Sequence, residues 1–189
     1  MKTIKNVITV SCIFIACSIV VPKLNATDYG TTGLIELPTA RMQNDATLTT
    51  TIMGDKYIES YMVTYQAFDW LEATYRYTGF KSLPDQNWDR NFEIKANLLS
   101  ESTLLPKVSI GMRDALGTGV FSSEYIVASK KMGNFDITAG LGFGLLAAKS
   151  SLENPLTLLG DNFNERSAET GRGGTFSVGD FFSGKNVGV

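Results

Sequence analysis

Residues 68–80 read F-D-W-L-E-A-T-Y-R-Y-T-G-F, and this stretch decides how the rest of the chain is read. Leu71, Ala73, Tyr75 and Tyr77 alternate with Glu72, Thr74, Arg76 and Thr78. A period of two belongs to a β-strand, whose successive side chains leave opposite faces of the pleat. One face is apolar and aromatic. The other is polar and carries both signs of charge. Such a strand separates an apolar phase from an aqueous one, and the apolar phase is either a protein core or a lipid bilayer.

The same pattern recurs on both sides. Ala46–Gly54 is a modest strand, and 57–68 a stronger one in which Tyr61, Val63, Tyr65 and Ala67 oppose Met62, Thr64, Gln66 and Phe68. Asp69 and Trp70 join it to the next strand as a hairpin. In 90–99, Phe92, Ile94, Ala96 and Leu98 oppose Glu93, Lys95 and Asn97; further on, Val108, Ile110 and Met112 alternate with Ser109, Gly111 and Arg113. Strands follow at 122–130 and 135–144, the latter after the turn Met132-Gly133-Asn134. Between them lie loop-forming runs at 81–89, 100–106 and 114–121. The pattern predicts about seven or eight strands of about eight to ten residues, with no helical period: an all-β antiparallel meander.

The start of the chain is an export signal. Lys2 and Lys5 precede the apolar run Val7–Val21, Pro22 ends the run, and Leu24-Asn25-Ala26 resembles a cleavage site, giving a signal peptide over 1–26. The run of about 15 residues falls short of the roughly 20 that cross a bilayer as a helix. Both cysteines, Cys12 and Cys17, lie inside it, so the mature chain has no disulfide framework. Phe14-Ile15-Ala16-Cys17 invites comparison with a lipid-attachment site. Phe14 suits that role poorly and the apolar run continues past the cysteine, so lipid attachment at Cys17 is not expected. The leading segment 27–45 carries a short apolar piece, Leu34-Ile35-Glu36-Leu37, that is a short strand or an ordered connector. The β-domain spans 46–189 and becomes rich in Gly and Asn from about 150.

Composition narrows the function. Net charge is −2, 19% of residues are charged, and histidine is absent. No basic field invites nucleic acid, and the commonest general base and metal ligand are missing. Membrane barrels use strands of about 9–11 residues with aromatics near the interfaces. Tyr57, Tyr61, Trp70, Tyr75, Tyr77 and Phe80 sit near strand ends. The expectation is a transmembrane β-barrel, or the first part of a larger one. The alternatives are a soluble periplasmic β-sandwich that binds glycan or a secretion partner, and a small self-contained barrel of about eight strands.

Five stretches carry a family resemblance: Gly30–Met42 (G-T-T-G-L-I-E-L-P-T-A-R-M), Trp70-Leu71-Glu72 with Arg76-Tyr77-Thr78, Leu105-Pro106 through Gly111-Met112-Arg113-Asp114, Gly117–Lys130, and Gly140–Gly144. In this order they resemble the opening of the YjbH-type exopolysaccharide biosynthesis proteins of Gram-negative bacteria. The resemblance implies an exported outer-membrane barrel concerned with making or exporting an extracellular polysaccharide. Its partners would be outer-membrane lipid, the polysaccharide and other secretion proteins. Family members are much longer, so the chain resembles an N-terminal portion, and its last residues, Lys185–Val189, lack the terminal aromatic of a closing barrel strand.

Seven residues are candidates for a wet, sugar-facing interior. Glu72 and Arg76 share a face of one strand, and Glu93 and Lys95 a face of another. Arg113 and Asp114 end a strand before a glycine loop, and Glu124 follows it. Such residues line a channel for sugar hydroxyls, or they are neutralising pairs in a wet interior, which is the favoured reading. Asp114 with Glu124 would serve glycoside cleavage only if about 5–10 Å apart, which spacing in sequence does not fix. No catalytic residue, cofactor or metal is expected. The glycines at 117–119 and 171–174 lack the strand–loop–helix setting and the lysine of a phosphate loop. Arg41 either anchors the leading segment inside a barrel or is an ordinary surface arginine.

Overall fold

The computed structural model describes residues 26–81, 87–150, 152–166 and 180–189. Residues 1–25 of the expected signal peptide, with Cys12 and Cys17, most of the 81–89 loop and the glycine run 171–174 lie outside the described residues.

Seven strands form one antiparallel sheet in chain order: β3 (Leu48–Gly54), β4 (Ile58–Phe68), β5 (Leu71–Phe80), β6 (Trp88–Leu99), β7 (Lys107–Arg113), β8 (Ser123–Met132) and β9 (Phe135–Gly142). The leading segment contributes a small arm pair, β1 (Gly33–Leu34) with β2 (Leu37–Pro38), turned by Ile35 at φ 41°. A second small pair joins β10 (Leu152–Glu153) to β11 (Asn186–Val187), after a single 3-10 turn at Gly144–Ala147. Beside it, Gly188 bridges to Gly142 on the outer edge of β9. No α-helix occurs among the described residues. No described helix is long and apolar enough to cross a membrane, which leaves strands untouched as spanning elements.

The sheet curls into a half-barrel whose two faces are inverted relative to a soluble protein. The inner face buries Ser60, Thr64, Gln66, Glu72, Thr74, Arg76, Asn91, Glu93, Lys95, Ser109 and Arg113. The outer face exposes Leu48, Ile52, Tyr61, Val63, Tyr65, Phe92, Ile94 and Ile137, with Ile52 72% exposed. Pairing register keeps the faces apart, because a slip of one residue would send every side chain to the wrong side.

Two aromatics depart from the alternation read in the sequence. A register shift between Gln66 and Phe68 turns Phe68 outward, where it stacks on Trp70 at 5.6 Å. Phe80 stands on the parity of Arg76 and Thr78 and packs on Phe121 at 5.9 Å, so it belongs to the inner face and not to the outer aromatic band. Trp88 takes its place outside. Its indole lies on Tyr77 at 4.5 Å and covers Gly79, where a Cβ would come within 3.0 Å of the ring.

Candidate functional site

The register of β5 against β6 sets Glu72 beside Lys95 and Thr74 beside Glu93. The ion pairs therefore run between strands, as cross-strand neighbours allow, and not within a strand as the sequence spacing suggested. Lys95 Nζ lies 3.3 Å from Glu72 Oε1. Arg76 Nε lies 3.4 Å from Glu93 Oε1, and Arg113 Nε, from β7, 3.8 Å from Glu93 Oε2. These five side chains are at most 1% exposed. Removing charge from water is costly without close counter-charges, and here each charge faces an opposite one.

Around this centre a polar shell holds the guanidiniums. Arg76 Nε donates to Asn91 Oδ1 at 3.0 Å, and Asn91 Nδ2 donates to Asp89 at 3.0 Å. Asp114 follows β7 in the left-handed region, at φ 59°, and accepts from the Phe121 backbone N–H at 3.0 Å. Burial pushes its carboxyl up to about 6. Phe121 lies 4.1 Å from the Arg76 guanidinium, and the Tyr29 ring 3.8 Å from that of Arg113 and 4.7 Å from that of Arg76. Arg76 Nη2, Arg113 Nε, both Glu93 oxygens and Asp114 Oδ1 are buried without a hydrogen-bond partner among the described residues.

Six of the seven candidates thus meet on one floor. Glu124 does not join them. It alternates with Ser123 and Tyr125, so it leaves the other face of β8, where Arg166 grips it at 2.6 and 2.8 Å and the Phe182 N–H donates at 2.8 Å. Among the described residues no three His, Cys, Asp or Glu side chains converge on a metal position.

The leading segment lies across this floor, tied to it by many polar contacts, by the Tyr29 ring over the guanidiniums and by Ala40 buried against Tyr125 and Val127. The Thr32 N–H donates to Glu72 at 2.9 Å, and the Thr32 hydroxyl donates to the same carboxylate. Lys95 Nζ donates to the carbonyls of Thr32 and Arg41, each at 2.8 Å. Thr64, Arg113 and Ser109 donate to the carbonyls of Gly30, Glu36 and Ala40 at 2.8, 3.2 and 3.1 Å. The Ala40 and Gln43 N–H groups donate to Ser129 and Gln66. Sequence reasoning missed Tyr29 and Thr32, because short polar residues in a Gly-rich connector look like an ordinary turn.

Arg41 anchors the far end of the segment. It bonds Asp136 at 2.6 Å and Glu101 at 2.5 Å. The Arg41 guanidinium, and then the Lys131 N–H, hold the Glu101 carboxyl down to about 2 from an ordinary value of 4.5. A depressed carboxylate contributes stability above its unfolded pKa and loses it as pH falls toward the folded one. Protection of the amides of residues 39–43, taken relative to their intrinsic exchange rate at each pH, is therefore expected to fall between about pH 4.5 and pH 2. Glu101→Gln should expose the same amides already at neutral pH and flatten that acid limb. An unchanged acid limb in the variant would remove Glu101 from the anchor.

An Escherichia coli (strain K12) protein described as uncharacterized lipoprotein YjbH is 36% identical over 167 residues, which cover 83% of this chain and 24% of that protein. No solved structure matches the chain. A family model described as exopolysaccharide biosynthesis protein YbjH matches residues 25–188, the whole of the half-barrel and its leading segment. On that match, the chain belongs to the YjbH exopolysaccharide biosynthesis family.

Proposed function

We propose that the chain forms part of an outer-membrane β-barrel that serves exopolysaccharide export without catalysing a reaction. The observation that carries this reading is the inverted sheet. A β-sandwich covers its apolar face with a second sheet, and among the described residues no second sheet covers this one. Its convex side is instead a band of mixed aliphatic and aromatic side chains, Val63, Tyr65, Tyr75, Phe92 and Ile94 among them, with Tyr61, Tyr77 and Trp88 at one end and Phe68 and Trp70 at the other. From Tyr61 to Phe68 the strand runs about 24 Å, which at the roughly 40° tilt of barrel strands is about 18 Å of height and fits inside the roughly 25 Å apolar band of outer-membrane barrels. The partners on this reading are membrane lipid outside, the polysaccharide inside, and other secretion proteins.

The test is fractionation of the full chain, made with its own leader in a Gram-negative host. It should sediment with the outer membrane, require detergent for release, and migrate differently on gels before and after boiling. Recovery as a detergent-free monomer from the periplasm would overturn the proposal in favour of a soluble glycan-binding module. Intact mass of the same material reads the processing. A cut after Ala26 leaves a chain that begins at Thr27, whereas the lipoprotein description of the relative corresponds to an acylated chain that begins at Cys17.

A further inference from the structure

We infer that residues 26–43 act as a displaceable stand-in for a glycan, and that the floor beneath them, centred on Arg76, Glu93 and Arg113, binds sugar hydroxyls. This inference rests on the reading above, since it needs a polysaccharide to reach the inner face.

The first argument is the chemistry of the orphaned atoms. Arg76 Nη2 and Arg113 Nε are donors; Glu93 Oε1, Glu93 Oε2 and Asp114 Oδ1 are acceptors. An anion would suit the two donors and be repelled by the carboxylates. A cation would suit the carboxylates and be repelled by the guanidiniums. A hydroxyl both donates and accepts, so a pair of neighbouring hydroxyls on a sugar ring satisfies a guanidinium and a carboxylate at once. The ligand class is therefore a neutral, polyhydroxylated chain. Phe80 on β5 and Phe121 in the loop between β7 and β8, stacked at 5.9 Å with planes 9° apart, belong to the floor and not to the segment, and supply an apolar platform for a ring face.

The second argument is how the leading segment is held. Its polar contacts with the floor are hydrogen bonds from Thr64, Lys95, Ser109 and Arg113 to its backbone carbonyls, from its own N–H groups to Glu72, Gln66 and Ser129, and from the Thr32 hydroxyl to Glu72. Sugar hydroxyls offer the same donors and acceptors. Each such bond contributes little net when another polar partner replaces it. Leu34, Ile35 and Leu37 do little to pin it, at 55%, 73% and 62% exposed, and its apolar hold on the sheet is the small side chain of Ala40, buried against Tyr125 and Val127. Tyr29 is the piece that enters the cluster. Its ring lies over the Arg113 guanidinium and withdraws with the segment.

The experiment uses the full chain in detergent, with maltohexaose and cellohexaose as neutral probes and hexagalacturonate as the acidic control. Ala40→Cys with Ser129→Cys locks the segment down, because the Ala40 N–H lies 2.9 Å from the Ser129 hydroxyl. Tyr29→Ala loosens it by removing the ring that covers Arg113 and Arg76, and leaves every side chain of the floor itself unchanged. A neutral hexasaccharide should speed amide exchange across 26–43 in the reduced pair and fail to bind the oxidised pair. Tyr29→Ala should bind it about tenfold more tightly if the uncovered fraction rises tenfold. Equal binding by oxidised and reduced forms, stronger binding of the uronate, or no neutral sugar bound by Tyr29→Ala would overturn the inference. Outer-membrane sedimentation of the same protein keeps that failure separate from failure of the barrel reading.

Discussion

Glu93→Ala is expected to cost about 3–5 kcal/mol, the range for removing one partner from a buried ion cluster. The carboxylate sits between two guanidiniums, each 1% exposed, and its loss leaves Arg76 and Arg113 without the ion-pair partner they share. Water cannot make up the deficit at this depth without opening the floor. The midpoint of urea unfolding in detergent, followed by Trp70 and Trp88 fluorescence, measures it. Glu93→Gln keeps the volume and should lose less. Replacing all three residues by apolar ones of similar size should recover much of the stability, since a buried cluster is weakly favourable as a whole and costly only when broken. The surface pair Lys81–Glu59, at 3.6 Å with both side chains about a third exposed, sets the contrast: breaking it should cost at most about 1 kcal/mol. A wild-type midpoint for Glu93→Ala would sink the account of the floor as a charge-balanced unit.

The second large effect is expected at Gly111. It pairs with Tyr125 across β7 and β8, and the phenol ring lies so close over it that an added Cβ would come 2.2 Å from the ring carbon that bears the hydroxyl. Gly111→Val must expel that ring. Tyr125 is 1% exposed and packs with Ala40 and Val127, so the displacement also disturbs the seat of the leading segment. Forcing atoms into a filled site costs about 1–3 kcal/mol, and more where the backbone must move. Because the damage runs through one ring, Gly111→Val combined with Tyr125→Ala should cost clearly less than the sum of the two changes. A double-mutant cycle on unfolding midpoints reads that coupling. Strict additivity would place the strain elsewhere.

The strands were legible in the sequence because alternation is a local signal, read within one segment. Every strand of the seven-stranded sheet falls within a few residues of its expected bounds. What joins the strands was not legible. The partner of Glu72 is Lys95 and that of Glu93 is Arg76, which only register decides, and register follows from turns and bulges such as the one at Gln66 and Phe68. Glu124 was grouped with the inner residues on its position after the glycine loop. Its true setting depends on Arg166, 42 residues onward. The path of the leading segment left no periodic trace at all, because hydroxyl-to-carbonyl contacts place no demand on sequence pattern.

Those contacts have a consequence for how the molecule assembles. Each hairpin of the meander closes between neighbours in the chain, whereas the leading segment meets residues 77, 89 and 95 positions away, through Glu36–Arg113, Ala40–Ser129 and Arg41–Asp136. Distant pairings form slowly, because chain entropy must be given up before they are rewarded. The part of the chain made first is thus the part whose docking is completed last. Gly30 and Thr32 can settle on β4, β5 and β6 earlier, but until β7, β8 and β9 are in register Glu36 and Ala40 lack their partners, so protection of 39–41 in a pulse-labelling time course is a clock for completion of the sheet.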